Sequence, residues 1–215
     1  MSDALAAVGR RLAPEDQARA DFYALLARLF AAPPDRALLD AIAAAPSLPP
    51  ASTVAADDDD AARLSVAWDE LRAASGSTAV ESVRQEYDDT FVGVGKSEVN
   101  LHASHWLTGF MMEKPLAELR ATLGTLGLGR KPGATMVEDH LAALCETMRL
   151  LIIGDADRPP SPIADQQRFF ERHIAPWVAS CCNATIQCPI AKYYAQVAEF
   201  TKCFMALERD SFAID

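Results

Sequence analysis

The chain has 215 residues, half of them hydrophobic, with 30 acidic against 20 basic side chains and a formal net charge of −10. That length buries a sizeable core in one or two compact domains, and the alanine-rich apolar composition points to a globular, largely helical protein. The charge argues against nucleic acid as a partner, because phosphate recognition needs a basic face, and no run approaches the roughly 20 apolar residues of a membrane span.

Arg10 and Arg11 stand side by side near the start, but no apolar stretch follows them. The expectation is a protein without an export signal, working in the cytoplasm. Pro14, Glu15 and Asp16 open a first helix, with proline in the first turn and carboxylates against the positive end of the helix dipole. Ala18, Phe22, Leu25, Leu26 and Leu29 recur along one face of it. Pro33 and Pro34 end it, and Asp35 caps a short second helix carrying Leu38, Leu39 and Ile42. Residues 46–60, PSLPPASTVAADDDD, read as a proline-rich and then polyacidic linker. A third helix over about residues 61–74 turns Leu64, Trp68 and Leu71 inward, and Ser75-Gly76-Ser77 breaks it. Val80, Val83, Tyr87 and Phe91 repeat at three- and four-residue steps and predict a fourth.

Helical patterns return at residues 108–112 and again at 115–123, where Pro115 occupies a first turn. Residues 124–136 carry glycines at 124, 127, 129 and 133 and read as a hinge. It would join an N-terminal half, 1–123, to a C-terminal half, 137–215. Thr135 or a neighbour caps a strongly periodic helix bearing Val137, Leu141, Leu144, Cys145, Met148, Leu151 and Ile152. Residues 155–162 form a loop. Phe169, Phe170 and Ile174 share one helix, and Pro176 begins another containing Trp177. The last helix, about residues 189–209, places Tyr193 or Tyr194, Val197, Phe200, Phe204 and Leu207 inward. There is no strand pattern and no repeat, so the fold class is all-α, a bundle of roughly ten helices.

Most of the residues that invite a chemical role lie in residues 86–119, EYDDTFVGVGKSEVNLHASHWLTGFMMEKPLAEL, with Glu138-Asp139-His140 as a companion segment. Gly93-Val94-Gly95-Lys96-Ser97 resembles the end of a phosphate-binding loop. The full pattern needs a glycine where Thr90 stands and a strand before it, so a nucleotide role is disfavoured. His102 and His105 are three apart, but neither Glu98 nor Glu138 has a histidine three residues later, as a di-iron bundle requires. The His-Glu-x-x-His of a zinc protease is absent. Five cysteines are an odd number, and Cys181, Cys182 and Cys188 lack the paired spacing of a structural zinc site. The expectation is therefore no metal, no resident cofactor and no enzyme. The rival is a helical metal- or nucleotide-binding enzyme built on His102, His105, His140 and residues 93–97.

The acidity is uneven: residues 57–98 hold eleven acidic and four basic side chains. A surface of that sign steers a basic partner. Aromatic and apolar side chains interspersed with carboxylates suit a helix that is apolar along its length and basic at one end, laid into a groove.

Four segments in order resemble the TorD-like family of cytoplasmic chaperones for molybdenum-containing redox enzymes, and particularly the members that accompany formate dehydrogenases. They are EYDDTFVGVG (86–95), LTGFMMEKPL (107–116), EDHLAALCE (138–146) and QRFFERHIAPW (167–177). The chain departs from the family pattern at Thr90, where leucine is usual, at Met136 and Val137, where Glu and Pro are usual, and over residues 96–106. The resemblance implies an all-helical fold, monomeric or dimeric, in some members through exchange of halves across the hinge. It also implies a chaperone that binds the twin-arginine signal peptide of an apo-molybdoenzyme catalytic subunit, delays its export and assists cofactor insertion. Tyr87, Phe91, Asp139 and His140 are the recognition residues that carry over. Bidentate contacts to two arginines would come from Asp88, Asp89, Glu138 and Asp139. A groove for the apolar stretch would be walled by Tyr87, Phe91, Trp106, Phe110 and Leu141. His140 would hold the Asp139 rotamer.

Overall fold

The computed structural model describes residues 12–49, 59–93, 97–130, 133–156 and 158–213. Among them are ten α-helices, one π-helical turn and no strand, the all-α architecture expected. The arginine pair 10–11, linker residues 50–58, residues 94–96 of the glycine loop and residues 131–132 of the hinge lie outside the described residues.

Helix α1 (Pro14–Ala31) starts as predicted, with proline and two carboxylates in its first turn. Of its expected inward face, Leu26 and Leu29 are buried and Phe22 and Leu25 pack half-buried against the core, but Ala18 is exposed, and Ala20, Tyr23 and Phe30 are inside as well. The large rings set this register. Phe22 and Tyr23 meet the Phe204 ring at 5.4 and 4.9 Å, edge to face, and Phe22 also meets Trp68 and Phe200. In α2 (Arg36–Ala44) the Leu38 amide donates to the Asp35 carboxylate at 2.8 Å, the cap expected, and Leu38, Leu39 and Ile42 are buried.

Helix α3 (Asp59–Ser77) runs through the Ser75-Gly76-Ser77 sequence that was expected to break it. The hydroxyls explain this. Ser75, Ser77 and Thr78 donate to the carbonyls of Leu71, Ala73 and Ala74, so the polar side chains are satisfied on the helix itself. Ser75 is also 3.1 Å from the Tyr193 hydroxyl, which ties α3 to the last helix.

Helix α4 (Val80–Tyr87) passes directly into the π-turn Asp88–Val92. The Gly93 amide closes that turn on the Asp88 carbonyl at 2.7 Å, with Gly93 at φ 63, a conformation glycine adopts without steric cost. The chain continues through α5 (Ala103–Thr108), α6 (Lys114–Thr125), α7 (Leu141–Ile153), α8 (Ile163–His173), α9 (Ala175–Gln187) and α10 (Tyr193–Phe212). Helix α7 is capped by His140 rather than by Thr135 or a neighbour, because Asp139 and His140 are held outside it by the contacts described below.

Two carboxylates fasten α10. Glu86 accepts from the amides of Lys192, Tyr193 and Tyr194 at 2.9, 3.1 and 2.7 Å, which supplies the unpaired N–H groups at the helix start and places negative charge at its positive end. Near the other end, Glu208 is 3% exposed and takes a two-pronged contact from Arg19 at 2.6 and 3.0 Å, plus the Tyr23 hydroxyl at 3.0 Å. Helix α1 packs on α7, α3 and α9 pack on α10, and α5 touches α6 and α9. Elements from both sides of residues 124–136 thus share one hydrophobic cluster.

Candidate functional site

The two segments singled out by sequence meet, and they meet by direct backbone pairing. The Ala103 amide donates to the Asp139 carbonyl at 2.9 Å and the Leu141 amide to the Leu101 carbonyl at 2.8 Å, an isolated antiparallel bridge between His102 and His140. From this bridge α5 leads into an exposed turn. Its helix lies at Ala103–Thr108, ahead of the residues 108–112 expected to be helical, because Gly109 at φ 82 ends it in a left-handed conformation. The Gly109 amide donates to the His105 carbonyl at 2.8 Å, and Thr108 Oγ1 accepts from the Phe110 amide at 3.3 Å.

Asp139 is 1% exposed. Its Oδ2 accepts from both the amide (3.0 Å) and the hydroxyl (2.5 Å) of Ser104. The same hydroxyl accepts from the Met112 amide at 3.2 Å. A bond from His140 to this carboxylate was expected; instead His140 Nδ1 accepts from the Ala142 amide at 3.1 Å and caps α7. Glu138 forms an ion pair with Arg120 at 2.9 Å, and that guanidinium holds its carboxyl below the usual range.

The aromatic candidates divide. Tyr87 is buried: its hydroxyl donates to the Phe30 carbonyl at 3.1 Å, and its ring packs against Phe91 and Tyr194. Phe91 is half-buried among Phe30, Tyr87 and Tyr194. Trp106 is half-buried, with its indole N–H on the Asn100 carbonyl at 2.7 Å. Phe110 stands out at 69% exposed, as does Met112 at 69%, with Met111 and Leu107 also exposed beside them in sequence. Asp88 and Asp89 are both exposed on the π-turn. Ser104, Leu107 and Met112 were not singled out from sequence. The run of four apolar residues around Gly109 in LTGFMM was the available signal for two of them.

The structure brings together two of the three histidines of the enzyme alternative. The rings of His102 and His140 lie edge to face at 4.9 Å, while His105 stands against Trp106. Among the described residues no group of three or more His, Cys, Asp or Glu is arranged to hold a metal ion. All five cysteines are buried and unpaired, and burial pushes the Cys181 thiol up to about 12.

Burial, and next the neighbouring His102, push His140 down to about 4, against the opposing pull of Asp139. The fold therefore favours the neutral ring over the unfolded chain, where the value is near 6.5. The stability this gives is present above about pH 6.5 and is lost as pH falls towards about 4. His173 behaves alike, pushed down to about 4 by burial and then Arg172. Asparagine is a good N-cap and does not titrate. His140→Asn is expected to flatten the loss of stability between pH 6.5 and 4, read from urea unfolding at several pH values. An unchanged pH profile would overturn this assignment.

A family model described as nitrate reductase delta subunit matches residues 57–183, more than half of the chain. The matched span contains the π-turn, the His102–His140 bridge and the exposed turn. No curated protein gives a match.

Proposed function

Because the chain belongs to the nitrate reductase delta subunit family, the TorD-like redox-enzyme maturation chaperones of molybdenum-containing enzymes, we propose that it binds the twin-arginine signal peptide of an apo-oxidoreductase. The client is the catalytic subunit of a formate dehydrogenase, held back from export while its cofactor is inserted. The observation that carries this reading is the turn after α5. Leu107, Phe110, Met111 and Met112 are exposed within six residues, and large apolar side chains exposed close together favour an interaction site.

The chemistry of the client suits it. A twin-arginine signal joins two guanidinium groups to an apolar, helix-forming stretch. Methionine and phenylalanine side chains at an exposed turn adapt to apolar helices of differing sequence. The arginines need carboxylates that are not already paired with a cation. Asp88 and Asp89 are exposed on the π-turn, with Asp89 accepting from the neutral Gln85 side-chain amide at 2.8 Å, whereas Glu138 already pairs with Arg120. The overall charge of −10 favours approach of a basic segment.

The test is titration of the chain with the client's full-length signal peptide, and with the same peptide carrying alanines in place of both arginines. Exposed ion pairs contribute roughly 0.5–1 kcal/mol each, so losing two weakens binding about five- to thirtyfold. The catalytic subunit of a formate dehydrogenase is the expected protein to co-purify with the chain from its own cell. Absence of binding by the intact signal at any attainable concentration would overturn the signal-peptide reading.

A further inference from the structure

We propose that Asp139 is a positioning residue for the apolar turn: it fixes Ser104, whose hydroxyl holds the Met112 amide, and it does not itself meet the client. This rests on the reading of the turn as the client-binding surface. The chain of contacts is continuous. Asp139 Oδ2 takes both the amide and the hydroxyl of Ser104, at 3.0 and 2.5 Å, and the hydroxyl oxygen takes the Met112 amide at 3.2 Å. A carboxylate acceptor at one end of such a relay strengthens the bond at the other.

The turn needs holding because its backbone is strained. Met112 has φ 59, in the left-handed region that costs a non-glycine residue roughly 1–2 kcal/mol. It is the one non-glycine residue with positive φ among those described. Residues held in such conformations persist where their surroundings over-determine them, and they gather at binding sites. Here the determining contact is the Ser104 hydroxyl. With it in place the exposed side chains of Phe110, Met111 and Met112 are presented in one arrangement, which lowers the ordering cost of binding.

The alternative role for Asp139 is direct pairing with a client arginine through Oδ1, which is buried and has no hydrogen-bond partner. Oδ1 belongs to a residue lining a small cavity of about 80 Å³ that Glu118, Arg172 and His173 also line, with Arg172 and Glu118 paired at 3.4 Å. The other carboxylate on that wall is thus already taken by a guanidinium, and Asp139 itself is 1% exposed. Asp88 and Asp89, in open solvent, are the better partners for arginine.

Three variants separate the roles: Ser104→Ala, Asp139→Ala and Asp139→Asn. Two readouts are taken on each. One is amide hydrogen exchange at Met112 in the free protein; the other is affinity for the twin-arginine peptide and for its double-alanine version. Ser104→Ala and Asp139→Ala are expected to speed Met112 exchange and to weaken the intact peptide, each about tenfold, the value of one hydrogen bond. A fourth variant, Ser104→Ala combined with Asp139→Ala, is expected to be no worse than either single one, because both break the same relay. Asp139→Asn keeps an oxygen acceptor for Ser104 and is expected to stay within about threefold of the parent on both readouts. In every variant the preference for arginine over alanine peptide is expected to be unchanged.

Loss of that preference in Asp139→Asn, with Met112 exchange unaltered, would assign Asp139 to the client's arginine and overturn the proposal. So would normal Met112 exchange in Ser104→Ala. If the parent chain binds no peptide, the signal-peptide reading fails by itself, and the exchange measurement still decides the relay. Asp139→Asn, which preserves the acceptor, keeps the test valid if Asp139→Ala does not fold.

Discussion

Replacing Arg19 by alanine is expected to lower the unfolding free energy by about 3–5 kcal/mol, the cost of leaving a buried charge without its partner. Glu208 is 3% exposed, and Arg19 supplies two of its three side-chain contacts, with the Tyr23 hydroxyl as the third. The guanidinium also lies 5.3 Å from the centre of the Phe212 ring and reaches Asp16 at 3.0 Å, so its removal loosens the end of α10 as well as the start of α1. A loss of that size is a large part of the roughly 5–15 kcal/mol that holds a folded domain. Converting both partners to apolar residues of similar size together with the hydroxyl that bonds them, Arg19→Met with Glu208→Leu and Tyr23→Phe, is expected to recover most of the loss, because no buried charge or hydroxyl is then left unpaired. Urea unfolding of the two variants checks both statements. A single-variant loss under about 1 kcal/mol would show that Glu208 finds water or another donor.

Phe110→Ser combined with Met112→Asn is expected to weaken binding of the signal peptide by about 30-fold or more while leaving the thermal midpoint within about 2 °C of the parent. The asymmetry comes from exposure. Both side chains are 69% exposed, so the free chain loses little packing when they are cut back. Asparagine tolerates the left-handed backbone that Met112 adopts at φ 59, so the turn keeps its shape. In the proposed complex the same side chains would leave water, and truncating a central apolar anchor typically costs about 2 kcal/mol or more. Equal affinity of parent and double variant would move the binding surface elsewhere on the chain.

Much of the bundle was legible in the residue order. The buried sets of α2 and the interior of α7 follow the 3.6-residue period: Leu38, Leu39 and Ile42 in one, Leu141, Leu144, Cys145, Met148, Leu151 and Ile152 in the other. The Asp35 cap and the proline starts of α1 and α6 followed from local rules of the same kind. Two of the failures came from a distant partner. Ala18 was expected inside, but Phe22 and Tyr23 take the helix round to the rings of α10. The start of α7 was expected before Asp139, but the pairing of residues 101–103 with 139–141 holds His140 in extended backbone after a turn at Glu138 and Asp139.

The candidate site divides in the same way. Sequence alone marked the segment holding Phe110 and its companion at Glu138-Asp139-His140, and their adjacency is real. It did not separate Tyr87, a core residue bonded to the Phe30 carbonyl, from Phe110, which faces solvent, because an aromatic ring satisfies a core and a binding surface equally well. Nor did it show that Asp139 is engaged by Ser104, 35 residues earlier in the chain.

What the sequence determined by itself is therefore an all-helical chain, acidic, with a family resemblance carried by four ordered segments and an apolar run around Gly109. Helix propensity, capping and periodicity act over a few residues, and so they are written locally. Only the tertiary structure decided which carboxylates are available to a partner. Glu86 is taken by amides more than a hundred residues on, Glu208 by Arg19 from the opposite end of the chain, Glu138 by Arg120 and Asp139 by Ser104. A buried or bonded carboxylate and a free one have the same letter. The difference lies in what the fold places opposite each, which depends on contacts between residues far apart in the chain.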